Sequence, residues 1–95
     1  MKKNKEIAMV HAADYALEYL NKKPEADAEE IIKNFLKNFE SLDVKKNGEI
    51  YSVAAISEIL KLKRANKGKL KKQLMQMLVN RIPLITERIE EDSEN

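Results

Sequence analysis

Between Glu6 and Asn21 the chain contains neither glycine nor proline, and its apolar residues fall at helical spacing on more than one face. Val10, Ala13, Leu17 and Leu20 make one stripe. Ala8, Ala12, Tyr15 and Tyr19 make a second, at i, i+4, i+7 and i+11. Only His11, Asp14 and Glu18 form a polar edge. A helix apolar on most of its circumference needs neighbours on most sides, so the rest of the chain has to supply partner helices or a second copy must do so.

The remaining sequence reads as those partners. Lys22-Lys23-Pro24 ends the first helix, because basic side chains suit a helix C-terminus and the residue before proline avoids the helical region. Asp27-Ala28-Glu29-Glu30 has capping-box spacing with Asp as the cap, opening a second helix from Ala28 to about Ser41. Its inward stripe is Ile31, Ile32, Phe35, Leu36, Phe39 and Leu42. Asn47-Gly48 suits a tight turn, Glu49-Ile50-Tyr51 a brief extended segment, and Ser52 the N-cap of a third helix ending near Lys63. After a connector around Arg64–Gly68, a fourth helix begins near Lys67. Pro83 kinks or ends it, leaving Ile85 and Ile89 for a short fifth.

The expected fold is therefore all-α, four to five short helices in a compact bundle. Its expected core is Val10, Leu17, Leu20, Ile31, Phe35, Phe39, Ile56, Leu60, Leu74 and Leu78. At 95 residues, two independent cores would each be too small to bury enough surface, so one domain over 1–92 is expected, with a frayed acidic tail at 93–95. With no cysteine, disulfides, thiolate metal sites and cysteine nucleophiles are excluded. The interruption of the first apolar stretch by His11, Asp14 and Glu18 argues against a signal peptide, and no run is long enough for a membrane span; a cytoplasmic protein without membrane contact is the expectation.

Charge is the feature closest to function. The formal net charge is only +2, yet residues 59–86 carry eight basic side chains and no acidic one, while residues 87–95 carry five acidic and one basic. Segregation of this kind creates a local field attractive to polyanions. The span from Ser52 to Leu62, a connector, and then Lys67 to Asn80 resembles the helix-turn-helix pattern, with Val53–Leu60 similar to the bracing helix of winged-helix proteins. That resemblance implies a helix-turn-helix-like unit in the second half and contact with DNA or RNA. Lys63, Arg64, Lys67, Lys69, Lys71 and Lys72 would meet phosphates, and Gln73 and Gln76 would meet bases. The connector is longer than the usual turn, and no glycine-bearing hairpin follows Leu78 to form a wing.

Two other constellations point elsewhere. Phe35, Phe39 and Leu42 followed by Asp43–Ile50 resemble the entering helix and loop of an EF-hand, but Lys45 and Ala54 stand where oxygen ligands belong. His11, Asp14 and Glu18 share a helical face that suits either a metal or a surface ion-pair cluster. No metal, no cofactor and no enzymatic activity are expected. The alternative to nucleic-acid binding is a helical protein-interaction or assembly module, anchored by Tyr15, Tyr19, Met75 and Met77, with a homodimer or a helical protein as partner.

Overall fold

The computed structural model describes residues 2–38 and 47–94, with side chains for 6–38 and 49–91. Four α-helices make up the described residues: α1 (Lys2–Lys22), α2 (Ala28–Asn38), α3 (Asn47–Ala65) and α4 (Lys71–Glu94). A Cα radius of gyration of 12.8 Å is that of a compact globule of this length.

Proline and a cap set the first corner. The Lys23 N–H donates to the Tyr19 carbonyl (2.8 Å) and the Ala26 N–H to the Lys23 carbonyl (3.1 Å), carrying the chain past Pro24. Asp27 then caps α2 as its spacing predicts: its Oδ1 accepts the Glu30 N–H at 2.9 Å, and its carbonyl accepts the Ile31 N–H. The Glu30 side chain does not return to the cap. It accepts instead from Lys23 Nζ and from the Tyr19 hydroxyl, each at 2.7 Å, tying α2 to the end of α1.

Lys23 first, and Tyr19 after it, hold the Glu30 carboxyl below the usual carboxylate range. A depressed folded-state pKa contributes stability above the unfolded value and loses it as pH falls through the folded one. Thermal melts should therefore show the wild type losing stability more steeply than Glu30→Gln between about pH 5 and pH 3. Parallel curves for the two proteins would remove this contact from the stability of α2.

The α1 helix sits against all three others. Ala12, Ala13 and Ala16 are fully buried, and so is Ala55 on α3. Small side chains allow the α1 and α3 backbones to approach closely, and these two helices make the most extensive contact among the described residues. The Tyr15–Tyr19 stripe packs on α2: Tyr15 meets Phe35 edge-on at 5.3 Å, and Asn34 and Asn38 donate to the Tyr19 and Tyr15 hydroxyls. On the other flank α1 meets α4. Both α2 and α4 touch the α1–α3 pair, and among the described residues they do not touch each other.

Three boundaries differ from expectation. The Asn47-Gly48 turn, the extended Glu49–Tyr51 segment and the Ser52 cap are all replaced by helix, because α3 begins at Asn47. Tyr51 is buried, reaches Glu90 of α4 at 3.4 Å, and joins Ser52, Ala55, Ile56 and Ile59 on one helical face. Anchoring that tyrosine outweighs the local turn preference, and Glu49 suits the first turn of the helix. Likewise α4 starts at Lys71 instead of Lys67 and passes through Pro83, so no separate fifth helix forms. Leu78, Ile82, Ile85 and Ile89 continue one face across the proline and belong to the core or pack against it, so the helical register is held from both sides. With α1 and α4 at 21 and 24 residues, the helices are not all short.

Most of the expected core is buried: Leu17, Leu20, Ile31, Phe35, Ile56, Leu60, Leu74 and Leu78. Val10 is only half-buried, and Phe39 lies outside the described residues. Ser52 is fully buried, with its hydroxyl lacking a hydrogen-bond partner among the described residues. Such a group carries a desolvation cost without compensation. Ser52→Ala should therefore stabilise the fold by about 1 kcal/mol, a rise in Tm of roughly 4–8 °C. A fall in Tm would assign the hydroxyl a partner.

Candidate nucleic-acid interface

The basic run spans the end of α3, the five-residue connector Asn66–Leu70 and the first turn of α4. Local chemistry fixes its shape. The backbone N–H and side-chain Nδ2 of Asn66 both donate to the Leu62 carbonyl at 2.9 Å, closing α3. Gly68 follows with φ +92°, a backbone conformation that L side chains rarely adopt. Leu70 opens α4, its carbonyl accepting the Leu74 N–H and its own N–H donating to Gln73 Oε1 at 2.9 Å. Gln73 thus makes the glutamine half of a capping box on a residue that has no capping side chain.

This turn gathers some of the predicted cations and separates others. Lys63, Arg64, Lys67 and Lys69 line one cavity of about 460 Å³ at the end of the bundle. Leu20 and Leu60 supply apolar surface to it, and the α1–α2 connection, with Glu25 and Asp27, forms another side. Lys71 is directed elsewhere: its Nζ lies 2.5 Å from Asp14 and 2.7 Å from Glu18. Hydrogen bonds to Asp14 and then Glu18 hold its pKa above the ordinary lysine value. Arg81 is paired with Glu58 of α3.

Of the eight basic side chains in residues 59–86, six therefore have no ion-pair partner among the described residues: Lys61, Lys63, Arg64, Lys67, Lys69 and Lys72. All six are exposed. Lys72, Gln73, Gln76 and Asn80 are also exposed on α4, away from its buried stripe. Gln76 Nε2 donates to Asn80 Oδ1 at 3.3 Å. A bidentate contact to adenine uses both the oxygen and the amide of a glutamine. The Gln73 oxygen is already engaged in the cap, which leaves its amide as the more available group.

The Pro24–Asp27 side of the cavity and the Leu20 floor have no counterpart in the sequence reading. Their proximity to the basic turn comes from the packing of α1 on α3, which no local spacing encodes.

The other constellations resolve differently. Asp14 and Glu18 clasp Lys71, so the polar edge of α1 is an ion-pair cluster, while the His11 ring lies 6.3 Å from that of Phe35. Among the described residues no group of three or more His, Cys, Asp or Glu side chains is placed to hold a metal ion. Residues 43–46 of the EF-hand-like stretch lie outside the described residues, and Asn47 onward is helix. No helix among the described residues is long and apolar enough to cross a membrane. A shallow groove between α1 and α4 is lined by apolar Ile7, Val10, Met75, Val79 and Ile82 together with Glu6, His11 and Asp14, and Ile7 and Val79 are exposed.

Comparison with known proteins finds no matching family model, curated protein or solved structure. The functional reading rests on the residues of this chain.

Proposed function

We propose that the chain is a small nucleic-acid-binding protein that holds phosphates with the α3–turn–α4 segment. The observation that carries this reading is the gathering of Lys63, Arg64, Lys67 and Lys69 around one turn, without intramolecular ion pairs among the described residues. Phosphates relieve the mutual repulsion of cations left unpaired and close together, and the counterions released from the polyanion add to the affinity. The unit is helix-turn-helix-like: α3 braces, and α4 offers Lys72, Gln73 and Gln76 on its exposed face. Its five-residue connector exceeds the usual turn, and the acidic end of α4 repels phosphate, so contact is confined to the first turns of α4. Phosphate contact dominates over base reading.

Fluorescence anisotropy with a mixed-sequence duplex and a single-stranded RNA, each at about 50 and 200 mM salt, tests the proposal. Binding at low salt that weakens steeply at high salt is expected. Absence of binding at low salt overturns it.

The α1–α4 groove, mostly apolar and with Ile7 and Val79 exposed, favours a second reading, a helical assembly module without nucleic acid. Sedimentation at several protein concentrations, together with failure to bind either probe, would select it.

A further inference from the structure

The cavity at the basic turn has the size and the lining for a single nucleotide. Its volume of about 460 Å³ lies in the range of pockets that enclose a small ligand. It also has chemically distinct sides. The end of α3 contributes Lys63 and Arg64, the α3–α4 connection Lys67 and Lys69, the α1–α2 connection Glu25 and Asp27, and Leu20 and Leu60 add apolar lining. A phosphate backbone running through such a cavity would pass from the cations onto the carboxylates. A strand that ends there would not.

We infer that this cavity takes a phosphorylated terminal nucleotide, with the phosphate on the Lys63, Arg64, Lys67 and Lys69 side and an amino-bearing base toward Glu25 and Asp27. Each part matches one chemical group. A terminal phosphate monoester carries more negative charge than an internal diester, about −1.5 to −2 at neutral pH, and so draws more from the four cations that line the cavity. Carboxylates accept hydrogen bonds from exocyclic amines such as N4 of cytosine. Glu25 makes no hydrogen bond or ion pair among the described residues, and one oxygen of Asp27 remains open beyond the cap it makes on α2. Pro24 and Ala26, with the edges of the buried Leu20 and Leu60, give the lining an apolar part for sugar and base. The inference rests on the nucleic-acid reading for the source of the nucleotide, since a free mononucleotide has the same chemistry.

The test uses the full chain and labelled single-stranded oligonucleotides of one sequence, carrying a phosphate at the 5′ end, at the 3′ end or at neither. One phosphorylated form is expected to bind about tenfold more tightly than the unphosphorylated strand, the effect of one additional charge-assisted contact. That preference should vanish in Lys63→Gln/Lys67→Gln, whose side chains are exposed and without an ion-pair partner among the described residues. It should survive in Lys72→Gln, which keeps the cavity. Adenosine 5′-monophosphate as competitor separates the two sources. Displacement within about tenfold of the oligonucleotide's own affinity assigns the cavity to a free nucleotide, and weaker displacement assigns it to strand ends. Oligonucleotides that bind with no preference for a phosphorylated end, or a preference that persists in the double variant, overturn the inference and leave the nucleic-acid reading intact. Binding of the monophosphate without binding of any oligonucleotide does the reverse. Binding of neither overturns both.

Discussion

Phe35→Ala is expected to lower the Tm by about 15–30 °C, the largest single-residue effect on stability in this fold. The α2 helix has 11 residues and is held through two buried side chains, Ile31 and Phe35, with partly buried Ile32 and Leu36 beside them. Phe35 is 1% exposed and packs edge-on to Tyr15 and tilted to His11. Truncation removes the ring's transfer free energy and leaves a cavity that neighbouring elements fill only in part, a loss of about 3–5 kcal/mol. A domain of this length holds only about 5–14 kcal/mol in total, so such a loss is a large fraction of it. Among the described residues α2 packs on α1 and α3 and not on α4, so few other side chains share the load: Ile31, Ile32 and Leu36 beside the ring, and the polar ties to α1 through Glu30, Asn34 and Asn38. Far-UV circular dichroism melts provide the measurement, with Phe35→Leu as a volume-retaining control expected to lose much less. A drop under about 5 °C for the alanine variant would mean that α2 is not docked through this ring.

The same helix shows what the sequence makes legible and where that stops. Pro24, the Asp27 cap and the Ile31–Phe35 spacing act within one or two turns, so the start and inward face of α2 follow from local chemistry. The start of α3 does not. Asn47-Gly48 is a turn signal by itself, and only the burial of Tyr51 against α4, with Glu90 39 positions away, makes helix the better solution. Pro83 presents the same problem: whether proline ends a helix or passes through it depends on Ile82, Ile85 and Ile89 having a surface to pack on. At the candidate site the sequence displays charge but not pairing. Lys67, Lys69 and Lys71 look equivalent in the basic run, yet Lys71 meets Glu18, 53 residues away, while the other two line the cavity. Long-range packing sorts the cations, and it also brings up the Glu25–Asp27 side that local spacing gave no reason to include.

That sorting leads to the second large effect, expected from the combined variant Lys63→Gln/Arg64→Gln/Lys67→Gln/Lys69→Gln. If these four side chains carry the phosphate contacts, their neutralisation should weaken binding on the order of a hundredfold at about 50 mM salt. It should also reduce the slope of log K against log salt by about 3–4 units on duplex, close to one unit per contact removed. The slope is the sharper readout, because a misfolded protein loses affinity without showing a graded loss of counterion release. Lys72→Gln should remove about one unit, and Lys71→Gln almost none, since Asp14 and Glu18 already neutralise that ammonium. Glutamine preserves much of each side chain's length, and all four residues are exposed and without an ion-pair partner among the described residues. Relief of their mutual repulsion should keep the Tm of the variant at or slightly above that of the wild type. An unchanged salt slope in a folded variant would move the phosphate contacts off this turn. A slope lost equally in Lys71→Gln would mean that the α1 carboxylates release their lysine on binding, making the Asp14–Lys71–Glu18 cluster part of the interface.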